Sequence, residues 1–132
     1  MIFENLIGMV GHADSKVEES ETSIHSNTGV LPIYSFSSML NLMERAACNT
    51  LQDKLPPGRT TIPTLINVKY LASTPVGHHV QAEARVVKAE GQRIYYQVIA
   101  YDEKGKIGEG THERFVISAD NFMEKISKKN VM

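Results

Sequence analysis

Residues 37–54, SSMLNLMERAACNTLQDK, decide the fold because their apolar side chains recur every three or four positions. The recurring positions form one stripe: Met39, Leu42, Met43, Ala46, Ala47, Thr50 and Leu51. This spacing is typical of a helix with one buried face. A serine at 37 or 38 can cap the first turn, and Pro56-Pro57-Gly58 ends the run. The sequence therefore predicts a long helix from about Ser37 to Lys54.

After this helix the hydrophobic period changes to two, which is typical of strands. Alternating segments occupy residues 64–72, 78–88, 93–102 and 106–118, and residues 15–24 are a weaker strand candidate. Short connections between the later segments make them antiparallel neighbours. Residues 119–129 predict a terminal helix that begins at Asp120. One long helix, five strands and one short helix make an α+β domain.

The long helix is apolar over more of its circumference than a flat sheet would cover. Leu40, Ala47 and Leu51 widen its stripe sideways. A curved sheet wrapped around the helix meets that need, and a second subunit would cover the remaining edge.

Bulk composition limits the class of protein. A chain of 132 residues suits one domain over 1–132, and a net charge of -1 gives no reason to expect nucleic acid or an anionic membrane as partner. No apolar run approaches the roughly 20 residues that span a bilayer, and Met1 to Gly11 is expected to be packed, not cleaved. The single cysteine, Cys48, excludes an internal disulfide and favours the cytoplasm.

Glu44 is the most informative residue for chemistry. Leu40 lies one turn before it and Ala47 three residues after it, so its carboxylate projects from an apolar row. Desolvation there favours the neutral acid, which suits proton transfer or the orienting of water. The alternative is a carboxylate at the margin of the stripe, paired with a basic residue such as Arg45 or Lys69.

Ser35, Ser37 and Ser38 precede Glu44 by one to two turns and place hydroxyls upstream of it. A serine nucleophile needs a base within hydrogen-bond reach, and no histidine is near in sequence. Helix capping is the alternative role for this cluster.

Tyr70 shares a predicted strand face with Ile66 and Val68. Its ring is then packed while its hydroxyl seeks a partner, which makes it either a donor to a substrate carbonyl or a core side chain.

Metal and cofactor sites are not predicted. His78 and His79 are adjacent on a strand and face opposite ways, as do His112 and Glu113, so neither pair chelates one ion without a bend. Cys48 has no basic partner in the pattern and is expected to be a buried structural thiol. No phosphate-binding glycine loop is present.

Four stretches together resemble one known family. They are residues 42–47 (LMERAA), 72–77 (ASTPVG), 90–91 (EG) and 108–117 (GEGTHERFVI). The chain resembles the fluoroacetyl-CoA thioesterase-like branch of the hotdog superfamily, without gaps from about residue 42 to 117. The resemblance implies a hotdog fold, with a long central helix wrapped by a five-stranded antiparallel sheet. It also implies a homodimer joined edge to edge, with a tetramer left open, and acyl-CoA sites at the dimer interface.

The resemblance also implies a catalytic group around Glu44. The family has a threonine eight residues before this glutamate, where the present chain has Phe36, flanked by Ser35 and Ser37. The hydroxyl survives only if the loop shifts by one residue. We therefore expect Ser37 to supply it, with Ser35 and Phe36 contacting substrate.

Two further family positions are altered. The family histidine on the strand before the Thr-Pro turn falls at Tyr70, a poor base at neutral pH but a usable donor. A glycine whose backbone N–H lies near the thioester carbonyl falls at Pro63, which has no N–H. We expect Pro63 and Thr64 to contact substrate.

Three functions remain open on this evidence. The first is hydrolysis of a small or medium acyl thioester, with Glu44 as general base or water-orienting carboxylate and Ser37 and Tyr70 as polar helpers. The second is a non-catalytic module that binds an acyl-CoA or acyl-carrier thioester. The weakest is a hotdog dehydratase or isomerase, because no His–Asp or His–Glu pair stands where proton abstraction needs it.

Overall fold

The computed structural model describes residues 3–129, which form five strands and two α-helices. The strands are β1 (Val10–Lys16), β2 (Arg59–Tyr70), β3 (His79–Glu90), β4 (Arg93–Asp102) and β5 (Gly105–Ser118). The helices are α1 (Phe36–Thr50) and α2 (Ala119–Ser127), and two short 3-10 turns lie at Glu4–Leu6 and Glu19–Glu21. The element order confirms the predicted α+β arrangement.

All five strands belong to one antiparallel sheet in the order β1-β3-β4-β5-β2. α1 lies against one face of the sheet and packs most extensively on β1 and β3. The stripe of buried side chains on α1 meets the inward side chains of β3 and β4, among them Val80, Ala82, Ile94 and Val98. The helix wrapped by a five-stranded sheet, expected from the family resemblance, is therefore present. No helix within residues 3–129 is long and apolar enough to cross a membrane.

The ends of α1 differ from the prediction. Ser35, not Ser37 or Ser38, is the N-cap, and its Oγ accepts a hydrogen bond from the Ser38 backbone N–H at 3.0 Å. The helix stops at Thr50, four residues before Lys54, because the chain then turns and Asp53 adopts a φ of 63°. Polar helix formers after Thr50 had extended the pattern beyond the true end.

The first strand also lies elsewhere, at Val10–Lys16 and not at residues 15–24. Its inward positions are Gly11 and Ala13, which are too small to give a hydrophobic alternation. The N-terminal stretch is packed as expected over its described part, since Phe3 and Leu6 are buried in the core.

Gly11 is small because α1 lies directly over it. A Cβ at this position would stand 2.5 Å from the Ala46 carbonyl oxygen and 2.6 Å from the Thr50 backbone nitrogen. Both are backbone atoms of the helix, so neither can rotate away. Contact this close fixes the separation of β1 and α1.

We expect Gly11→Ala to lower the free energy of unfolding by about 1–3 kcal/mol, because the added Cβ overpacks the contact with α1. This cost outweighs the roughly 0.5–1 kcal/mol of stability that alanine adds by restricting the unfolded chain. Urea denaturation measures this change in the free energy of unfolding. Asp14→Ala, on the exposed face of the same strand, is the control and should stay within about 0.5 kcal/mol of wild type. Equal stability of the two variants would show that the strand and helix are not in tight contact.

Cys48 is exposed, contrary to the expectation of a buried thiol. It lies four residues after Glu44 and therefore on the same side of α1, away from the sheet-facing stripe. Its neighbour Ala47 is the one that is buried.

Candidate active site

Glu44 is paired with a buried cation from the sheet. Its Oε1 lies 3.7 Å from Nη1 of Arg114, which is an ion pair longer than a direct hydrogen bond. The Arg114 side chain is 6% exposed and that of Glu44 is 36% exposed. The alternative of a carboxylate paired with a basic residue therefore matches the structure, although the partner is Arg114 and not Arg45 or Lys69. The carboxylate of Glu44 is therefore held by Arg114 on one side and open to solvent on the other.

Three groups fix the Arg114 guanidinium. Its Nε donates to Thr61 Oγ1 at 2.8 Å and its Nη2 donates to the Thr61 carbonyl oxygen at 3.4 Å. Its Nη1 lies 3.2 Å from Nε2 of His112. His112 in turn lies with Nδ1 2.7 Å from the Leu65 carbonyl oxygen. Groups on β2 (Thr61) and β5 (His112) thus orient the planar guanidinium.

The register of β2 and β5 brings these groups to the helix side of the sheet. Pro63 pairs with Arg114 and Ile66 with His112, and a bulge shifts the register between Pro63 and Leu65. Paired residues of antiparallel strands point to the same face. Without the extra residue at the bulge, Thr61 and Ile66 would point to opposite faces.

His112 is almost fully buried and lies against the ring of Tyr96, with ring centroids 5.6 Å apart. Burial lowers the pKa of His112 below its usual value, and the Arg114 charge acts in the same direction, against the hydrogen bond to Leu65. The imidazole is therefore neutral at neutral pH.

An apolar cavity of about 430 Å³ opens at the N-terminal end of α1. Its lining includes Ile33, Phe36, Ser37, Leu40 and Tyr70. The rings of Phe36 and Tyr70 meet edge to face, with centroids 5.7 Å apart and planes at 81°. Three of the predicted site residues, Phe36, Ser37 and Tyr70, are therefore brought together.

Glu44 does not line this cavity within one chain. Ser37 and Glu44 lie on one side of α1 but are seven residues apart, which is about 10 Å along the helix axis. Ser37 is exposed with its Oγ 3.2 Å from Ser35 Oγ, and Ser35 is buried as the cap. The Tyr70 hydroxyl donates to Ser73 Oγ at 2.8 Å, so it already has a partner.

Pro63 and Thr64 stand at the bulge of β2. Both are exposed, and Thr64 Oγ1 donates to Glu113 Oε2 at 2.8 Å. Glu113 is on the outer face of β5, opposite His112. The substrate contacts expected at Ser35, Phe36, Pro63 and Thr64 remain predictions.

Sequence reasoning missed Thr61, His112 and Arg114. A signal was available, because His112, Arg114 and Val116 alternate along β5 and Val116 is apolar. That alternation places the two basic side chains on the buried face, where a charge needs an acidic partner.

Comparison with known proteins identifies the family to which the chain belongs. Residues 17–120 match the family model described as fluoroacetyl-CoA-specific thioesterase, FlK. The fluoroacetyl-CoA thioesterase of Streptantibioticus cattleyicolor is 36% identical over 97 residues, which cover 74% of this chain and 70% of that protein.

Solved structures agree with that match. The fluoroacetyl-CoA thioesterase FlK superposes with a TM-score of 0.88 at 30% identity, covering 95% of this chain and 97% of that chain. A hot-dog-like protein from Thermanaerovibrio acidaminovorans superposes with a TM-score of 0.90 at 27% identity, covering 100% of this chain and 99% of that chain. The resemblance found in the sequence is confirmed: the chain has the hotdog fold and belongs to the fluoroacetyl-CoA-specific thioesterase family.

Proposed function

We propose that this protein hydrolyses a small or medium acyl-CoA thioester, with Glu44 as general base or water-orienting carboxylate. The observation that carries the proposal is the partly exposed Glu44 carboxylate held by the buried guanidinium of Arg114. Support also comes from the relatives. One of them, a variant of the thioesterase FlK, was solved in complex with fluoroacetate and CoA, with a TM-score of 0.82 at 31% identity.

In the proposed reaction Glu44 takes a proton from a water molecule as the water oxygen attacks the thioester carbonyl carbon. The carbon–sulfur bond then breaks, the acyl group leaves as a carboxylic acid, and the proton passes to the CoA thiolate. Ser37 and Tyr70 act as polar helpers that position the substrate. Ser35, Phe36, Pro63 and Thr64 are proposed to contact it.

The acyl group is proposed to be apolar. The cavity beside Ser37 is walled by Phe36, Leu40 and Tyr70, which bind hydrocarbon by excluding water. Phe36 stands where the family has a threonine, so the site differs from that of relatives named for fluoroacetyl-CoA. We therefore expect preference for an alkyl acyl chain.

A homodimer is proposed to join the two sheets through β2. This strand is at the edge of the sheet and exposes Leu65 at 49%, and an exposed apolar edge favours pairing with another chain. Such a dimer is proposed to bring the cavity of one chain and Glu44 of its partner into one site. Sedimentation velocity should show the mass of two chains, or of four if dimers pair again, and an active monomer would contradict the proposal.

We also propose a cytoplasmic location, because a lone exposed thiol at Cys48 suits a reducing compartment. Cell fractionation tests it, and recovery outside the cytoplasm would contradict it.

A panel of acyl-CoAs with a thiol-trapping dye tests the activity. We expect release of free CoA, fastest with short and medium alkyl acyl groups. Thermal stabilisation by acyl-CoA with no thiol signal would instead favour the binding module. A change in the absorbance of a conjugated enoyl thioester without thiol release would favour the dehydratase.

A further inference from the structure

The buried imidazole of His112 takes no part in the proposed reaction, yet it is placed between two groups with opposite hydrogen-bonding character. On one side is the Leu65 carbonyl oxygen, 2.7 Å from Nδ1, and on the other is Arg114 Nη1, 3.2 Å from Nε2. A carbonyl oxygen can only accept and a guanidinium can only donate.

These two partners leave one protonation state of the ring. Nδ1 must carry the hydrogen in order to donate to Leu65, and Nε2 must be bare in order to accept from Arg114. The hydrogen bonds then run in one direction, from Arg114 through His112 to the backbone of β2. A proton on Nε2 would set two donors and two positive charges against each other.

We propose that His112 is a positioning residue, whose bare Nε2 holds the Arg114 guanidinium in the orientation that pairs it with Glu44. This inference rests on the proposed thioesterase function. The imidazole touches neither substrate nor water in this role. It acts through Arg114, and removing it would let the guanidinium rotate about its remaining bonds to Thr61.

The groups that face His112 set the direction of its pH dependence. They are Arg114 from its own strand, Glu44 from α1, Tyr96 from β4 and the backbone of β2, while the charge of Glu113 acts from the outer face of β5. Burial raises the pKa of Tyr96 to about 12, so this neighbour is uncharged at neutral pH.

Burial, with help from the Arg114 charge, lowers the pKa of His112 in the folded state below about 6.5. The unfolded chain therefore binds this proton more readily. The stabilising contribution of the neutral His112 imidazole is present above about pH 6.5 and is lost as the pH falls through the lowered pKa of the folded state. Over the same range Nε2 becomes a donor, and activity should fall with the loss of the Arg114 contact.

Two replacements separate positioning from packing. His112→Leu fills similar space without an acceptor, and we expect kcat for acyl-CoA hydrolysis to fall about 10- to 100-fold with little change in KM, as misplacement of a catalytic group does. His112→Gln puts an amide oxygen near the Nε2 position and should recover most of the rate. In this variant, the part of the fall in kcat at low pH that protonation of His112 causes should also disappear, because an amide does not titrate. His79→Leu, at an exposed histidine, is the control and should match wild type.

Nitrogen-15 NMR of the wild-type imidazole provides a readout that needs neither a variant nor turnover. We expect His112 at pH 7 to be neutral with hydrogen on Nδ1, and the Arg114 Nε–H signal to shift as His112 is protonated. A hydrogen on Nε2 at pH 7, or an unchanged kcat and pH profile in His112→Leu, would overturn the positioning role alone. Failure of the wild type to release CoA would contradict the proposed function itself.

Discussion

Replacing Glu44 with glutamine is expected to lower kcat for acyl-CoA hydrolysis by about 10²- to 10⁴-fold, the usual effect of losing a general base. Glutamine keeps the size of the side chain and its hydrogen-bonding reach but cannot take a proton from water. It is also as good a helix former as glutamate, so α1 should be undisturbed. A thiol-trapping assay with saturating acyl-CoA measures kcat directly.

The binding of substrate should survive this change. Because the amide can still lie beside the ligand, we expect KM to change far less than kcat, which is the pattern of an interaction made in the transition state. Thermal stabilisation by a non-hydrolysable acyl-CoA analogue checks binding independently.

Glu124→Gln is the matched control for Glu44→Gln. It makes the same chemical change on the exposed surface of α2, and its kcat should equal that of wild type. If Glu44→Gln retains a third or more of the wild-type rate, the base is another group and the site assignment fails.

The central fold was predictable because its helix and three of its strands carry strong periodicity. The stripe from Met39 to Ala47 faces the sheet as expected, and the alternating segments 78–88 and 93–102 correspond to β3 and β4. Periodicity marks which side chains face the core, and in these elements the core is hydrocarbon.

The ends of the sheet were not predictable in the same way. β1 contributes Gly11 and Ala13 to the core, because the helix approaches too closely for larger side chains. β2 begins at Arg59, five residues before the predicted start, and its first inward side chain there is Thr61. Close packing and a polar partner both remove the hydrophobic signal that a strand otherwise shows.

The candidate site was only partly predictable. Glu44 was singled out because a carboxylate in an apolar row is unusual, and Tyr70 because it shares a face with Ile66 and Val68; their roles in the reaction stay predictions. Arg114 and His112 were missed although they alternate with the apolar Val116, because the prediction of β5 rested on its period and not on which of its faces is buried. The register and burial in the structure place both side chains on the helix side of the sheet.

Arg114→Met is expected to lower kcat/KM for acyl-CoA hydrolysis by about 10²-fold, because Glu44 then loses the group that fixes its carboxylate. Arg114→Lys should lose most of the rate as well, since one ammonium cannot reach Thr61, His112 and Glu44 together. The thiol-trapping assay measures both variants.

Arg114→Met should lower stability by less than the lost hydrogen bonds alone would. The hydroxyl of Thr61 and Nε2 of His112 each lose a donor, which costs about 1–3 kcal/mol. Removal of a buried cation offsets part of that loss, because its desolvation penalty disappears too. Arg85→Met, on a half-exposed arginine of β3, is the control for loss of a positive charge and should keep full activity.

A double-mutant cycle decides whether Arg114 works through Glu44. If its role is to hold the carboxylate, then Arg114→Met adds little once Glu44→Gln has removed the base, and the double variant should be about as active as Glu44→Gln alone. Strong coupling of this kind is expected for residues that act as a unit. Multiplied losses in the double variant would mean that the guanidinium acts on a separate step, such as binding the substrate, and the pairing seen in the structure would not be the source of its effect.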